Sequence, residues 1–307
     1  MTPEVEDGGS CFGFEIQSAL SFQYLRDGGG EGLHIMGPSG EAEDSAGDLL
    51  FEWQPRSRHP FHARLYKDAN LYRFWVAGMG SFVIDPVGRG ISLPDADDPI
   101  RREERLWGIP AGLCLLHRSD LPLHAAAVDV GGAAVVFGAP GRFGKSTLAA
   151  GFHLANHRVL SEDLSCLRLA PPVSVIPGPA MLRVRQDVMN RLTLPGARVV
   201  GGDHDRVSLA LDEGRRGTCH PVPLRGVVFL RESTGNVALE RVPLEAAIPD
   251  LWTLSLRLPT AEGRARCFQD LVELAKTIPV WNLLRPLRLE ALQETVDLIV
   301  RDCVGHG

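Results

Sequence analysis

Apolar and polar residues alternate along much of the first third of the chain. Phe12, Phe14 and Ile16 alternate with Gly13, Glu15 and Gln17, and a period of two predicts a half-buried strand because successive side chains point to opposite faces. The same pattern predicts strands over 61–66, 72–76 and 81–84, the last two joined as a hairpin through Gly78-Met79-Gly80. Residues 1–10 read as a frayed end and the glycine-rich, polar stretch 27–48 as loop. The breaker cluster from Pro94 to Pro99 closes this β-rich unit near residue 98. From 100 to 118 the period becomes helical, with Leu106, Leu113 and Leu116 on one side, and Gly108 and Pro110 predict a kink or split. Residues 99–119 then connect to a second unit, 120–307.

That second unit alternates strands with helices. A strand over 123–130 turns at Gly131-Gly132 into a strand over 133–137. After Lys145 the spacing of Leu148 and Phe152 predicts a helix ending near Asn156-His157, and Val159-Leu160 starts a strand that reaches Ser161-Glu162-Asp163, completing a crossover unit. Further on, 171–179 reads as loop, 181–185 as a short strand, and 201–206 as a mobile, charged stretch. A strand over 226–230 is expected to pair with 237–242. Helices from about Pro243 and over 262–278, a strand over 280–284 and a last helix over 289–303, with Leu292, Val296, Ile299 and Cys303 on one face, complete the scaffold. The expected class is α/β.

Composition narrows the function. The 307 residues are 44% hydrophobic and 23% charged, an ordinary globular balance. A net charge of −6 gives no general attraction to nucleic acid or to an anionic membrane, so any anion site has to be local. The six cysteines contain no Cys-x-x-Cys pair, which argues against zinc and for a reducing, cytoplasmic setting. The acidic start lacks the apolar core of an export signal, and no apolar run approaches the ~18 residues of a membrane span. His34, His59 and His62 lack partners at metal-ligand spacing.

The chemistry concentrates in one stretch. Val135-Val136-Phe137 runs into Gly138-Ala139-Pro140-Gly141-Arg142-Phe143-Gly144 and then Lys145-Ser146-Thr147. A strand, a glycine turn and a helix start in that order turn backbone N–H groups toward a phosphate chain. Lys145 adds a point charge and the Ser146 hydroxyl a ligand for Mg²⁺. Ala139 stands where the Walker A pattern has its first glycine, and Arg142 either folds over the phosphates or points to solvent. The bland alternative is a surface turn with a chance Gly-Lys-Ser. Glu162 and Asp163 follow at the end of the next strand, either as a Walker B-like pair or as a solvated acidic turn. If they act together, the chain must bend there, because neighbours on a strand face opposite ways. Arg183 and Arg206 are candidates for charge stabilisation, Arg206 on an expected flexible lid, with plain surface arginines as the alternative. His124 is either a core histidine or a site residue.

Leu123-His124-Ala125, Val128-Asp129-Val130, Gly144-Lys145-Ser146-Thr147 and the run from His157 to Asp163 together resemble the catalytic domain of bacterial HPr serine kinase/phosphorylases. The run 221–230 and Pro279-Val280-Trp281 are similar to HPr-kinase-like proteins of ribosomal-peptide maturation, including lasso-peptide kinases. The resemblance covers about residues 120–300 and is specific at 123–163. It implies a P-loop kinase core related to phosphoenolpyruvate carboxykinase, with a mixed sheet, that uses ATP and Mg²⁺. It further implies phosphoryl transfer to a hydroxyl of a peptide or protein. By that resemblance Ser146 and Asp163 hold Mg²⁺, Glu162 stands where the family has a general base, usually aspartate, and His124 supports or orients it. A small-molecule kinase and a nucleotide-binding module without transfer remain the alternatives. The sequence leaves the oligomeric state open.

Overall fold

In the computed structural model the described residues are 9–38, 47–55, 61–68, 71–85, 87–139, 143–212 and 219–305. Among them, the first ninety or so build an eight-stranded sheet from β1 (Ser10–Cys11), β2 (Phe14–Gln17), β3 (Glu31–Met36), β4 (Asp48–Trp53), β5 (Ala63–Asp68), β6 (Leu71–Val76), β7 (Gly80–Ile84) and β8 (Gly90–Ser92). Its order is β1-β2-β3-β8-β7-β6-β5-β4. Burial alternates along β2 and β6, as the period of two requires. Phe12 is not part of that alternation: it sits at φ 53° in the turn between β1 and β2, fully buried. The stretch read as loop over 27–48 contains β3, which pairs in parallel with β2 and β8 and so draws its order from distant partners.

The helical stretch is split where glycine and proline stand. α1 (Pro99–Leu106) is capped by Asp98, whose side chain accepts the Arg101 N–H, and α2 (Ile109–His117) begins after Gly108. Glu103 of α1 is 4% exposed and accepts hydrogen bonds from the Gln23 and Tyr24 amides at 2.7 and 3.0 Å and from Trp107 Nε1 at 3.2 Å. Burial nevertheless prevails over these donors and pushes its carboxyl up to about 7. A folded value above the unfolded one means that the native state holds the proton more tightly. The stability it contributes is therefore complete below the unfolded value and is lost as pH rises to about 7. Urea unfolding between pH 4.5 and 8 should show the wild type losing about 3 kcal/mol more than Glu103→Gln over that window; parallel pH profiles would contradict this.

The remaining strands are β9 (Leu121–Leu123), β10 (Ala125–Val130), β11 (Ala133–Gly138), β12 (Arg158–Ser161), β13 (Ser165–Arg168), β14 (Ser174–Ile176), β15 (Met181–Arg185), β16 (Ala197–Gly202), β17 (Arg206–Leu211), β18 (Val222–Glu232), β19 (Ala238–Arg241) and β20 (Val280–Arg285). A nine-stranded mixed sheet runs β12-β10-β11-β18-β14-β13-β9, with β20 beside β18 and β19 outside β20. β11, β18 and β20 are parallel, so their carboxyl ends gather on one edge. α3 (Lys145–Leu154) carries the chain from β11 to β12, skipping over β10, which is antiparallel to both. Several expectations change here. β20 inserts between β18 and β19, so 237–242 does not pair with 226–230. The loop over 171–179 holds β14. The last helix opens as a 3₁₀ turn, Leu289–Ala291, continues as Leu292–Ile299 and ends in a π turn, Val300–Val304.

A small sheet, β15-β17-β16, covers α3. Leu182 and Val184 of β15, with Leu209 and Leu211 of β17, join the core formed by Leu148 and Phe152 of α3. The alternating positions Arg183 and Arg185 fall on the other face, and β-pairing sets Arg206 opposite Arg185. The N-terminal sheet shares a core with the rest: Leu164, Cys166, Ile176, Met181 and Ala210 pack with its aromatic residues. Arg26, 1% exposed, reaches across to donate to the carbonyls of Gly178, Val159 and Leu160 at 2.6, 2.7 and 3.1 Å. The strand that delivers Glu162 and Asp163 is thus tied to the N-terminal unit. All six cysteines are free thiols, and among the described residues no helix is long and apolar enough to cross a membrane.

Candidate functional site

Where β11 ends, the chain turns into α3. Gly144 takes φ 80° at the helix N-cap, and a Cβ built there would lie 2.6 Å from Arg285 Nη2. The left-handed backbone favours glycine, and a side chain would also displace the Arg285 guanidinium. Gly144→Ala should therefore lower stability by about 1–3 kcal/mol, read by thermal denaturation. A variant with unchanged stability would mean that the turn tolerates a side chain. Of the other loop residues, Ala139 is 4% exposed and Phe143 is partly buried. Pro140, Gly141 and Arg142 lie outside the described residues, so the expectation for Arg142 has no structural counterpart here.

Lys145 opens α3 at 8% exposure, with Nζ donating to the Ala139 carbonyl at 3.0 Å. Burial lowers its pKa, while the Asp163 and Glu162 charges support the protonated form. Ser146, one residue on, donates to Glu162 Oε1. Thr147 lines the same cleft.

The acidic pair follows a bend after β12, which is how two adjacent residues reach one cleft. Their environments differ. Glu162 is 4% exposed, and burial, then the Asp163 charge, raise its pKa against the pull of Ser146, Arg206 and Arg183. Desolvation on the cleft floor acts the same way on Asp163. Its side chain, however, keeps 68% of its surface accessible, so the hydrogen bond and charge of His124, joined by Lys145 and Arg183, hold it below the usual carboxylate range. His124 Nε2 lies 3.2 Å from Asp163 Oδ1. His124 is not within a strand: it occupies the break between β9, which pairs with β13, and β10, which pairs with β11. Its amide is fixed by the Leu254 carbonyl at 2.7 Å.

These contacts run across the assignment that the resemblance implies. Ser146 reaches Glu162, and His124 reaches Asp163. Ser146, Glu162 and the adjacent Asp163 offer the hard oxygen donors that Mg²⁺ takes, one or two carboxylates completed by phosphates and water. Among the described residues no three His, Cys, Asp or Glu side chains converge on one point.

The cleft they line has a volume of about 690 Å³. Arg183, Arg185 and Arg206 of the small sheet line it together with Arg285, Arg288 and, from α1, Arg105. The chain is acidic overall, yet this cleft is locally basic. Arg206 opens β17 directly after the β16–β17 turn, opposite Arg185 of β15. Asp203 Oδ1 accepts the Asp205 and Arg206 amides at 2.9 and 2.8 Å, and the Arg206 guanidinium donates to the Arg183 carbonyl at 3.3 Å. Arg183 pairs with Glu104 at 3.1 Å and Asp203 at 3.4 Å.

Sequence reasoning missed Arg285 and Arg105. Arg285 is 3% exposed and donates to the Phe143 and Gly144 carbonyls at 3.0 and 3.3 Å, bracing the turn from behind. A signal existed for it: an arginine ending a buried strand parallel to β11 lands at the carboxyl edge of the sheet, where ligands bind in open α/β sheets. Arg105 gave no such signal, since it belongs to a helix that looked like a connector.

No protein-family model matches the chain, and no curated protein matches it. Among solved structures, the chain is similar to one described as the Hpr(Ser) kinase/phosphatase from Coxiella burnetii, at 12% identity over 59% of this chain and 94% of that one, with a TM-score of 0.32. A likeness of that size leaves function to be argued from the site's own geometry.

Proposed function

We propose that the protein is a phosphotransferase that moves the terminal phosphoryl group of ATP to a hydroxyl, with a peptide or protein as acceptor. The observation that carries this is the juxtaposition of a left-handed Gly144 turn, Lys145 and Ser146 at a helix start with Glu162, Asp163 and His124 across one basic cleft. The loop amides and Lys145 bind the phosphates and oppose the charge that spreads over the transferred group. Arg206, within electrostatic reach of both Lys145 and Glu162, adds to that stabilisation. Ser146 and Glu162 would hold Mg²⁺, which would supply neutralisation of the phosphate charge. Asp163, ionised and open to solvent, orients the acceptor hydroxyl and accepts its proton late in the transfer, as suits a weak base; His124 orients the carboxylate.

Purified protein with ATP and Mg²⁺ should phosphorylate a hydroxyl acceptor found by mass spectrometry. Transfer that survives in Lys145→Ala or in Asp163→Ala would sink the mechanism. Nucleotide binding without transfer to any acceptor would instead favour a regulatory nucleotide-binding module. A peptide or protein acceptor follows from the sequence resemblance at 123–163 and a ribosomal-peptide precursor from that at 221–230 and 279–281, and both are tested in the same assay against free amino acids and sugars.

A further inference from the structure

The cations of the cleft divide by position. Lys145, Arg285 and Arg206 surround the phosphate loop: Lys145 and Arg285 contact its carbonyls, and Arg206 interacts with Lys145 and Glu162. Arg105 lines the same cleft from α1. Its electrostatic neighbours are Arg183, Asp163, Arg101 and Glu104. Glu104 is already engaged, pairing with Arg183 and accepting from Ser208. Among the described residues no carboxylate lies within ion-pair distance of Arg105. Its guanidinium instead rests over the Phe61 ring, 4.6 Å from the centroid, and the residue lines the cleft. A partly buried guanidinium without a counter-ion, beside a second one and next to the carboxylate that takes the proton, is costly unless an anion completes it.

We propose that the hydroxyl acceptor carries an anionic group of its own, a carboxylate or a phosphate, and that Arg105 binds it beside Asp163 with Arg183 behind. This rests on the phosphotransferase reading and names its substrate class. It also gives the N-terminal unit a direct part in the site, because Arg105 is presented by α1 and seated on Phe61. A negative group on the acceptor offsets the repulsion between Arg105 and Arg183 and places the neighbouring hydroxyl within reach of Asp163. A neutral acceptor does neither.

The test separates binding from transfer. Protein saturated with Mg²⁺ and the non-transferable analogue AMP-PCP is titrated calorimetrically with inorganic phosphate and, separately, with glutarate; Lys145→Ala without nucleotide is the second background. At least one of the two anions should bind, roughly tenfold or more weakly in Arg105→Gln, which keeps most of the stem over Phe61, and with most of the affinity restored in Arg105→Lys. Whether phosphate or glutarate shows the Arg105 dependence identifies which acidic group the acceptor bears. In the transfer arm, a serine peptide with flanking glutamates or a flanking phosphoserine should exceed its glutamine counterpart in kcat/KM by a similar factor, and Arg105→Gln should erase the difference. Anion affinity unchanged in Arg105→Gln, binding of neither anion, or equal use of acidic and neutral peptides would overturn the proposal. Arg105-dependent anion binding without transfer to any peptide would leave the anion site standing and remove the kinase reading.

Discussion

Lys145→Ala should lower kcat/KM for phosphoryl transfer about 10³-fold, equivalent to about 4 kcal/mol of transition-state stabilisation. The size follows from where the charge sits. Lys145 is 8% exposed, so its field on a phosphoryl group is only partly screened by water, and it is held at a fixed point by the first turn of α3. In the absence of phosphate it satisfies itself on the Ala139 carbonyl, a contact it can exchange for a phosphate oxygen at small cost. Arg206 and Arg285 cannot replace it, since one is tethered to the Arg183 carbonyl and the other braces the loop from behind. The measurement is ADP formation under single-turnover conditions, with nucleotide affinity determined separately. A loss confined to nucleotide affinity, with the rate at saturation unchanged, would mean that Lys145 binds ground and transition states alike.

Asp163→Asn should reduce the rate at saturation by about 10²–10⁴-fold while leaving nucleotide affinity within a few-fold. The amide keeps the shape and the contact with His124 but cannot accept a proton. Glu162→Gln should behave differently: beside Ser146 and buried, it should raise the Mg²⁺ concentration needed for half-maximal activity. The opposite outcome, with Glu162→Gln abolishing transfer at any Mg²⁺ level and Asp163→Asn changing only the metal requirement, would restore the roles implied by the family resemblance. His124→Gln should cost less than Asp163→Asn, because it orients the carboxylate at 3.2 Å without receiving the acceptor proton.

Local chemistry made much of this legible in the sequence. The positions of β6, β7, β11, α3 and β20 follow from apolar period and from glycine and proline punctuation, because those signals act within a few residues. Gly144-Lys145-Ser146 is likewise a local device: a left-handed turn needs glycine, and a helix start exposes its own amides. The sequence also limits Glu162 and Asp163 to acting together only where the strand bends, and the bend is there.

What the tertiary structure alone decided are relations between distant residues. β3 alternates Leu33 and Ile35 with Gly32 and His34 over only a few residues of a glycine-rich stretch, and it becomes a strand because β2 and β8 supply its hydrogen bonds. β20 enters the sheet between β18 and β19, which no pairing rule based on nearness would choose. The crosswise contacts Ser146 to Glu162 and His124 to Asp163 depend on angstrom-scale placement of four side chains from three segments. Arg285 and Arg105 come to the cleft from distant parts of the chain because the sheet and the shared core bring them there. A sequence specifies which residues can bind phosphate; long-range packing determines which of them meet.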